Sequence, residues 1–149
     1  MTISKRDSII QNIKTALGGI TTTAGYNFTV GLVQERLKDP DQAGENFPVL
    51  FVIDSDESKF DGSVGELRNE MSPIIVGYVK ADSDETDIKL EVRKLLADVE
   101  KALCADRYRG GLAINTLPSS IKTDHGFNEP YGMFEFIFKI PYLQEYGTP

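Results

Sequence analysis

The stretch Glu85 to Cys104, ETDIKLEVRKLLADVEKALC, constrains this chain more than any other. Ile88, Val92, Leu95, Leu96, Val99 and Leu103 recur at steps of three and four. At about 100° per residue they fall on one stripe of a helix. A helix of this length is marginal alone in water, so the stripe must lie on another apolar surface. Asp82-Ser83-Asp84 is expected to cap it, with Glu85 and Asp87 at the positive end of its dipole. Asp106 to Gly111 stops it.

The rest of the chain supplies that surface. A first helix is expected from about Ser4 to Leu17, with Ser4 and Asp7 spaced like a capping box and Ile9, Ile10, Ile13 and Leu17 as its apolar face. Gly18-Gly19 ends it. Tyr26, Phe28, Val30 and Leu32 alternate with Asn27, Thr29 and Gly31 as a half-buried strand. Val49 to Ile53 is apolar on both faces, as in a central strand, and Pro48 fits only at its first residue. Asp54 to Gly65 reads as a polar loop. Ser72 to Val79 is a further strand, which a start near Glu66 would make one arm of a hairpin. Leu112 to Asn115 reads as a short strand and Leu117 to Gly132 as a long loop. Phe134, Phe136, Phe138, Ile140 and Tyr142 share one face of a last strand, and residues 143–149 read as a flexible tail. The order is helix, three strands, helix, two strands. It predicts an α+β fold, with a mainly antiparallel or mixed sheet of about five strands and both helices packed on it. With 149 residues, one domain is the default.

Charge narrows the function classes. The net charge of −7 argues against binding nucleic acid through a basic face. No apolar run approaches 18 residues, and no secretory leader is visible at the N-terminus. The lone Cys104 excludes an internal disulfide. The acidity is concentrated: Asp39, Asp41, Glu45, Asp54, Asp56, Glu57 and Asp61 lie in one stretch with a single base, Lys59. The plain reading is solubilising loops; the sharper one is a negative face that repels polyanions or meets a basic partner.

Catalytic groups are sparse. His125, the one histidine, sits in Thr123-Asp124-His125-Gly126, a turn-forming context. Cys104 lies at the negative end of the long helix, which raises a thiol pKa. Asp54-Ser55-Asp56-Glu57-Ser58 lacks the glycine and glutamate of a calcium loop, and no phosphate loop or Cys/His metal spacing occurs. Arg107-Tyr108-Arg109 reads as solvated turn residues. No enzyme, cofactor or metal site is expected. Leu90, Ala97 and Cys104, seven residues apart, make a second, narrow apolar line opposite the main stripe. It reads either as scattered exposed residues or as a seam with a neighbouring subunit.

Several phrases together resemble the tail terminator (tail completion, minor tail) proteins of long-tailed bacteriophages. They are the first helix ending in Gly18-Gly19 and leading to Gly25-Tyr26, the run Phe47-Pro48-Val49-Leu50-Phe51-Val52, Leu96 to Leu103 followed by Asp106, and the late Ile140-Pro141-Tyr142. The resemblance covers most of the chain except Leu117 to Gly132. It implies a structural virion protein, assembled in the host cytoplasm, that forms a hexameric ring at the neck-proximal end of the tail. The ring would cap the tail tube, end its polymerisation and join the tube to a neck or connector protein, with DNA passing through unread. Within that picture Leu90, Ala97 and Cys104 would form the subunit seam. Asp54, Asp56 and Glu57 would lie at an acidic lumen or ring edge. Asp124, His125, Phe127 and Pro130 would belong to a loop contacting tube or neck. The alternatives are another head–tail connector component, or a small-ligand or peptide-binding α+β domain with the sheet face as its pocket.

Overall fold

The alternation that begins at Phe134 runs through a strand of fifteen residues, β7 (Tyr131–Glu145), and the sheet is built around it. The computed structural model describes residues 3–149. Among them are α1 (Lys5–Gly18), β1 (Leu32–Gln34), β2 (Val49–Ile53), β3 (Glu57–Asp61), β4 (Glu66–Met71), β5 (Ile74–Lys80), α2 (Ile88–Cys104) and β6 (Leu117–Thr123). The fold is α+β, with a mixed sheet in the order β1-β2-β5-β7-β4-β3 and β6 paired to β7. Among the described residues, only β1 and β2 run parallel.

The register explains the shape. β4 pairs with the last part of β7, from Glu66 opposite Glu145 to Met71 opposite Ile140. β5 pairs with its first part, from Ile74 opposite Ile137 to Lys80 opposite Tyr131. The offset is the same in both, so β4 and β5 are two lengths of one long arm interrupted at Ser72-Pro73. There Phe138 N–H donates to Pro73 O at 3.1 Å. β2 and β3 flank this arm in turn, and Ser72 N–H bridges to Asp56 O at 2.9 Å where they part. At about 3.3 Å per residue, this ladder separates the β3–β4 turn from the loop before β7 by roughly 45 Å of strand.

Both helices lie on one face. Ile9, Ile10, Ile13 and Leu17 of α1 and Ile88, Val92, Leu95, Val99 and Leu103 of α2 cover Leu50, Val52, Ile75, Phe134, Phe136, Phe138 and Ile140. Each such side chain, fully buried, contributes about 1.5–3 kcal/mol. α2 comes down on β7 at Gly132, where a Cβ would stand 2.5 Å from Val92 Cγ2 and 2.9 Å from Ile88 Cγ1. The ring of Phe134 fills the space over Gly77. On the opposite face Val49, Phe51, Val76 and Tyr78 are covered by Leu32, Ala43 and Phe47, and Tyr78 Oη donates to Lys38 O at 2.6 Å. The sheet face expected as a binding pocket is therefore covered over β2, while a cavity of about 320 Å³ lined by Leu37, Val76, Tyr78 and Met133 stays open beside β5.

Several expectations are corrected. Tyr26 to Gly31 is outside the sheet, because its N–H groups go to Thr21 O, Asp98, Ile20 O and Pro48 O, and only Leu32–Gln34 joins the sheet. β3 occupies much of the expected Asp54–Gly65 loop. Its polar sequence reflects an edge strand with Glu57 and Lys59 turned onto a polar network. Glu66 does begin a strand, but its hairpin partner is β3. Leu112 to Asn115 forms turns and coil, held by Ala113 N–H to Tyr108 O and Ile114 N–H to Pro141 O. β6 lies inside the expected Leu117–Gly132 loop; its polar residues suit a strand exposed along its whole length. β7 takes in Leu143 to Glu145 of the expected tail, because Gln144 continues the buried alternation. α2 begins at Ile88 and is capped by Asp87, which accepts from Leu90 N–H at 3.3 Å, so Asp82-Ser83-Asp84 forms a turn ahead of it. Arg109 is not a solvated turn residue. It is fully buried at φ +49° and its guanidinium donates to the Leu103 and Asp106 carbonyls, closing the C-terminal end of α2.

Candidate assembly surfaces

The outward line of α2 follows from helical geometry. Seven residues make nearly two turns, so Leu90, Ala97 and Cys104 stand above one another. All three are exposed. Burial of its surroundings, with the Glu100 carboxylate nearby, pushes the Cys104 thiol up from its usual range; Arg109 and Arg107 only partly oppose this. The thiol is a weak nucleophile and the line is an apolar surface feature.

Asp54, Asp56 and Glu57 are separated by their surroundings. Arg6, in the first turn of α1, donates to Asp54 Oδ1 at 2.6 Å and to Ser55 O at 2.6 Å, and lies 3.4 Å from Glu57 Oε2. The Glu57 side chain is only 5 % exposed and also takes Tyr142 Oη at 2.6 Å and Lys59 Nζ at 3.0 Å. Lys59 in turn donates to Asn69 and Gln144. Burial, then the bond to Glu57, hold the Tyr142 phenol well above its ordinary pKa. This network ties α1 to β3, β4 and β7. It leaves Asp56, with the outer side of Asp54, as the acids of the trio that face solvent.

The loop before β7 is built by Asp124. Its carboxylate accepts from Gly126 N–H at 3.0 Å and Asn128 Nδ2 at 3.3 Å, His125 takes φ +57°, and Pro130 O accepts from Ala81 N–H at 2.8 Å. This holds the ring of Phe127 out in solvent. Between the loop and α2 lies a groove of about 290 Å³, floored by Ile88 and Val92 and rimmed by Lys89, Arg93 and His125.

A further surface escaped the sequence reading. The β3–β4 turn carries Phe60 and Val64 into solvent, with Leu143 and Tyr146 exposed near the same end. The available signal was the pair Gly62 and Gly65 between two short polar alternating runs; Gly65 takes φ +82°, as such a turn requires.

Among the described residues, no group of His, Cys, Asp and Glu is placed to hold a metal ion, and no helix is long and apolar enough to cross a membrane. No protein-family model matches the chain, and no curated protein sequence does. Its fold, however, matches a chain of a solved structure described as the virion of a native gene transfer agent (GTA) particle. The TM-score is 0.53 over 91% of this chain and 94% of that one, at 10% sequence identity. At that identity the likeness is one of fold.

Proposed function

We propose that this protein is a structural component of a phage-like virion whose copies form a ring capping the tail tube, ending tube polymerisation and joining the tube to the neck. The observation that carries this reading is the fold shared almost end to end with a chain of a gene transfer agent virion. The sequence phrases that resemble tail terminators support it, and so does the placement of the apolar surface. Side chains such as Val64, Phe127 and Leu90 are held out at opposite ends of the sheet and along α2, as repeated assembly contacts need.

In this reading Leu90, Ala97 and Cys104 form part of a seam between copies. Asp124, His125, Phe127 and Pro130 form a contact with tube or neck. Asp56, with Asp54 beside it, contributes negative charge at the ring edge, where it repels passing DNA. A ring interface is heterologous, so two different patches must match.

Co-sedimentation with tail tubes of the same virion tests the proposal. A terminator binds only tube ends, so binding should saturate far below one copy per tube subunit and should stop elongation. Binding along the tube length, or none, would contradict it.

A further inference from the structure

Two surfaces at opposite ends of the long ladder are chemically complementary. The first is the β3–β4 tip. Val64 is fully exposed at its apex, Phe60 stands half-exposed beside it, and Asp61 and Glu66 flank the turn. The second is the groove between α2 and the loop before β7, with Ile88 and Val92 as floor and Lys89, Arg93 and His125 as rim. Among the described residues, none of Asp61, Glu66, Lys89 and Arg93 forms a salt bridge within the subunit. Asp124, the carboxylate of the groove, is already engaged by Gly126 and Asn128. The groove is thus a basic rim around an apolar floor, and the tip is an apolar apex between two acids, with Arg68 across the strands from Phe60 and Lys5, held on Leu143 O beside Glu66, as bases nearby.

We propose that the β3–β4 tip of one copy seats in the α2 groove of the next, Val64 against Ile88 and Val92, with Asp61 and Glu66 against Lys89 and Arg93. The β4–β7 ladder keeps tip and groove of one subunit apart, so the contact joins different copies. It is heterologous, the kind of contact from which a ring is built when its rotation closes. Opposite charges around a small apolar contact also set the register between copies. The inference rests on the ring reading above and names the surfaces that make it.

Charge reversal tests it. One variant carries Asp61→Lys and Glu66→Lys; the other carries Lys89→Glu and Arg93→Glu. All four positions are exposed, so circular dichroism should match the unaltered protein. Oligomerisation is followed by sedimentation velocity, alone and with tail tubes. Each variant by itself should fail to assemble, because its tip and groove then carry like charge. An equimolar mixture should assemble, since each tip now fits the other variant's groove, in alternation around the ring. Val64→Ser should raise the dissociation constant about tenfold.

Single variants that assemble as the unaltered protein does, or a mixture that stays unassembled, would overturn the pairing. A groove variant that keeps self-association but loses tube binding would overturn it too, assigning the groove to the tube. Failure of the unaltered protein to associate either alone or on tubes would instead remove the ring reading itself.

Discussion

The carboxylate of Asp98, 2 % exposed in the middle of α2, accepts the backbone N–H of Phe28 at 3.0 Å on one oxygen. Its other oxygen takes the N–H and the side-chain amide of Asn27, at 3.0 and 3.1 Å. One turn on, Lys101 Nζ donates to Gly25 O at 3.0 Å and lies 4.8 Å from the ring of Tyr26. α2 therefore holds the Gly25–Phe28 segment as a strand would, through side chains. Asp98→Ala removes the acceptor of three donors, but Asn27 is exposed and its side-chain amide also reaches Lys94 O at 3.4 Å, so the half-buried Phe28 N–H is the donor left most fully unpaired. At about 1–3 kcal/mol for a buried group left unpaired, a net loss of about 2 kcal/mol is expected. It is read as a lower urea midpoint with an unchanged slope. Asp98→Asn, which keeps one acceptor oxygen, should lose roughly half as much.

Glu57 and Tyr142 predict an alkaline weakness. The folded phenol is held above its unfolded pKa by burial and by the bond to Glu57, and burial shifts Tyr78 the same way. A group whose folded pKa is raised contributes its stability fully below the unfolded value, about 10 for tyrosine, and loses it as pH rises above that. The raised Cys104 thiol adds a small loss above about pH 8.5, so urea midpoints should decline slightly there and fall more steeply beyond about pH 10. Tyr142→Phe should lessen that fall while leaving the contribution of Tyr78. An unchanged alkaline profile in the variant would contradict the assignment.

Gly132 predicts an overpacking defect. A side chain there would enter space held by Val92, Ile88 and Val79, the last at 2.9 Å. Gly132→Val should cost about 3 kcal/mol by prising α2 from β7, measured by thermal unfolding. Gly18→Ala, at a site with no atom within 4 Å, is the control and should be close to neutral.

The α2 line predicts a change in assembly without a change in fold. Leu90→Lys with Ala97→Glu places charge on the proposed seam while leaving the core stripe intact. Self-association should weaken roughly tenfold or more, with normal circular dichroism. Unchanged association would remove the line from the interface.

What was legible in the sequence was whatever had one apolar face. The stripe from Ile88 to Leu103, the run Val49 to Ile53 and the alternation from Phe134 announce their periods, and they give the α+β fold. β3 and β6 do not: both are edge strands, and Glu57, Lys59, Ser120 and Lys122 show little apolar alternation. Glu57 looks like a surface charge, because burial made tolerable by the distant partners Arg6 and Tyr142 leaves no local trace, and Arg109 looks like one because its partners, Leu103 O and Asp106 O, are backbone carbonyls that carry no side-chain signature. The outward line of α2 was legible from its seven-residue spacing. The β3–β4 tip was not, since an exposed Val64 acquires meaning only once the register sets it at the far end of the molecule from the groove.

Capping of the tube is the event that the proposed role requires. Electron microscopy of growing tail tubes with this protein added should show a ring of subunits at one end of each tube and no further growth from that end. Tubes that lengthen as they do without it, with bare ends, would contradict the account.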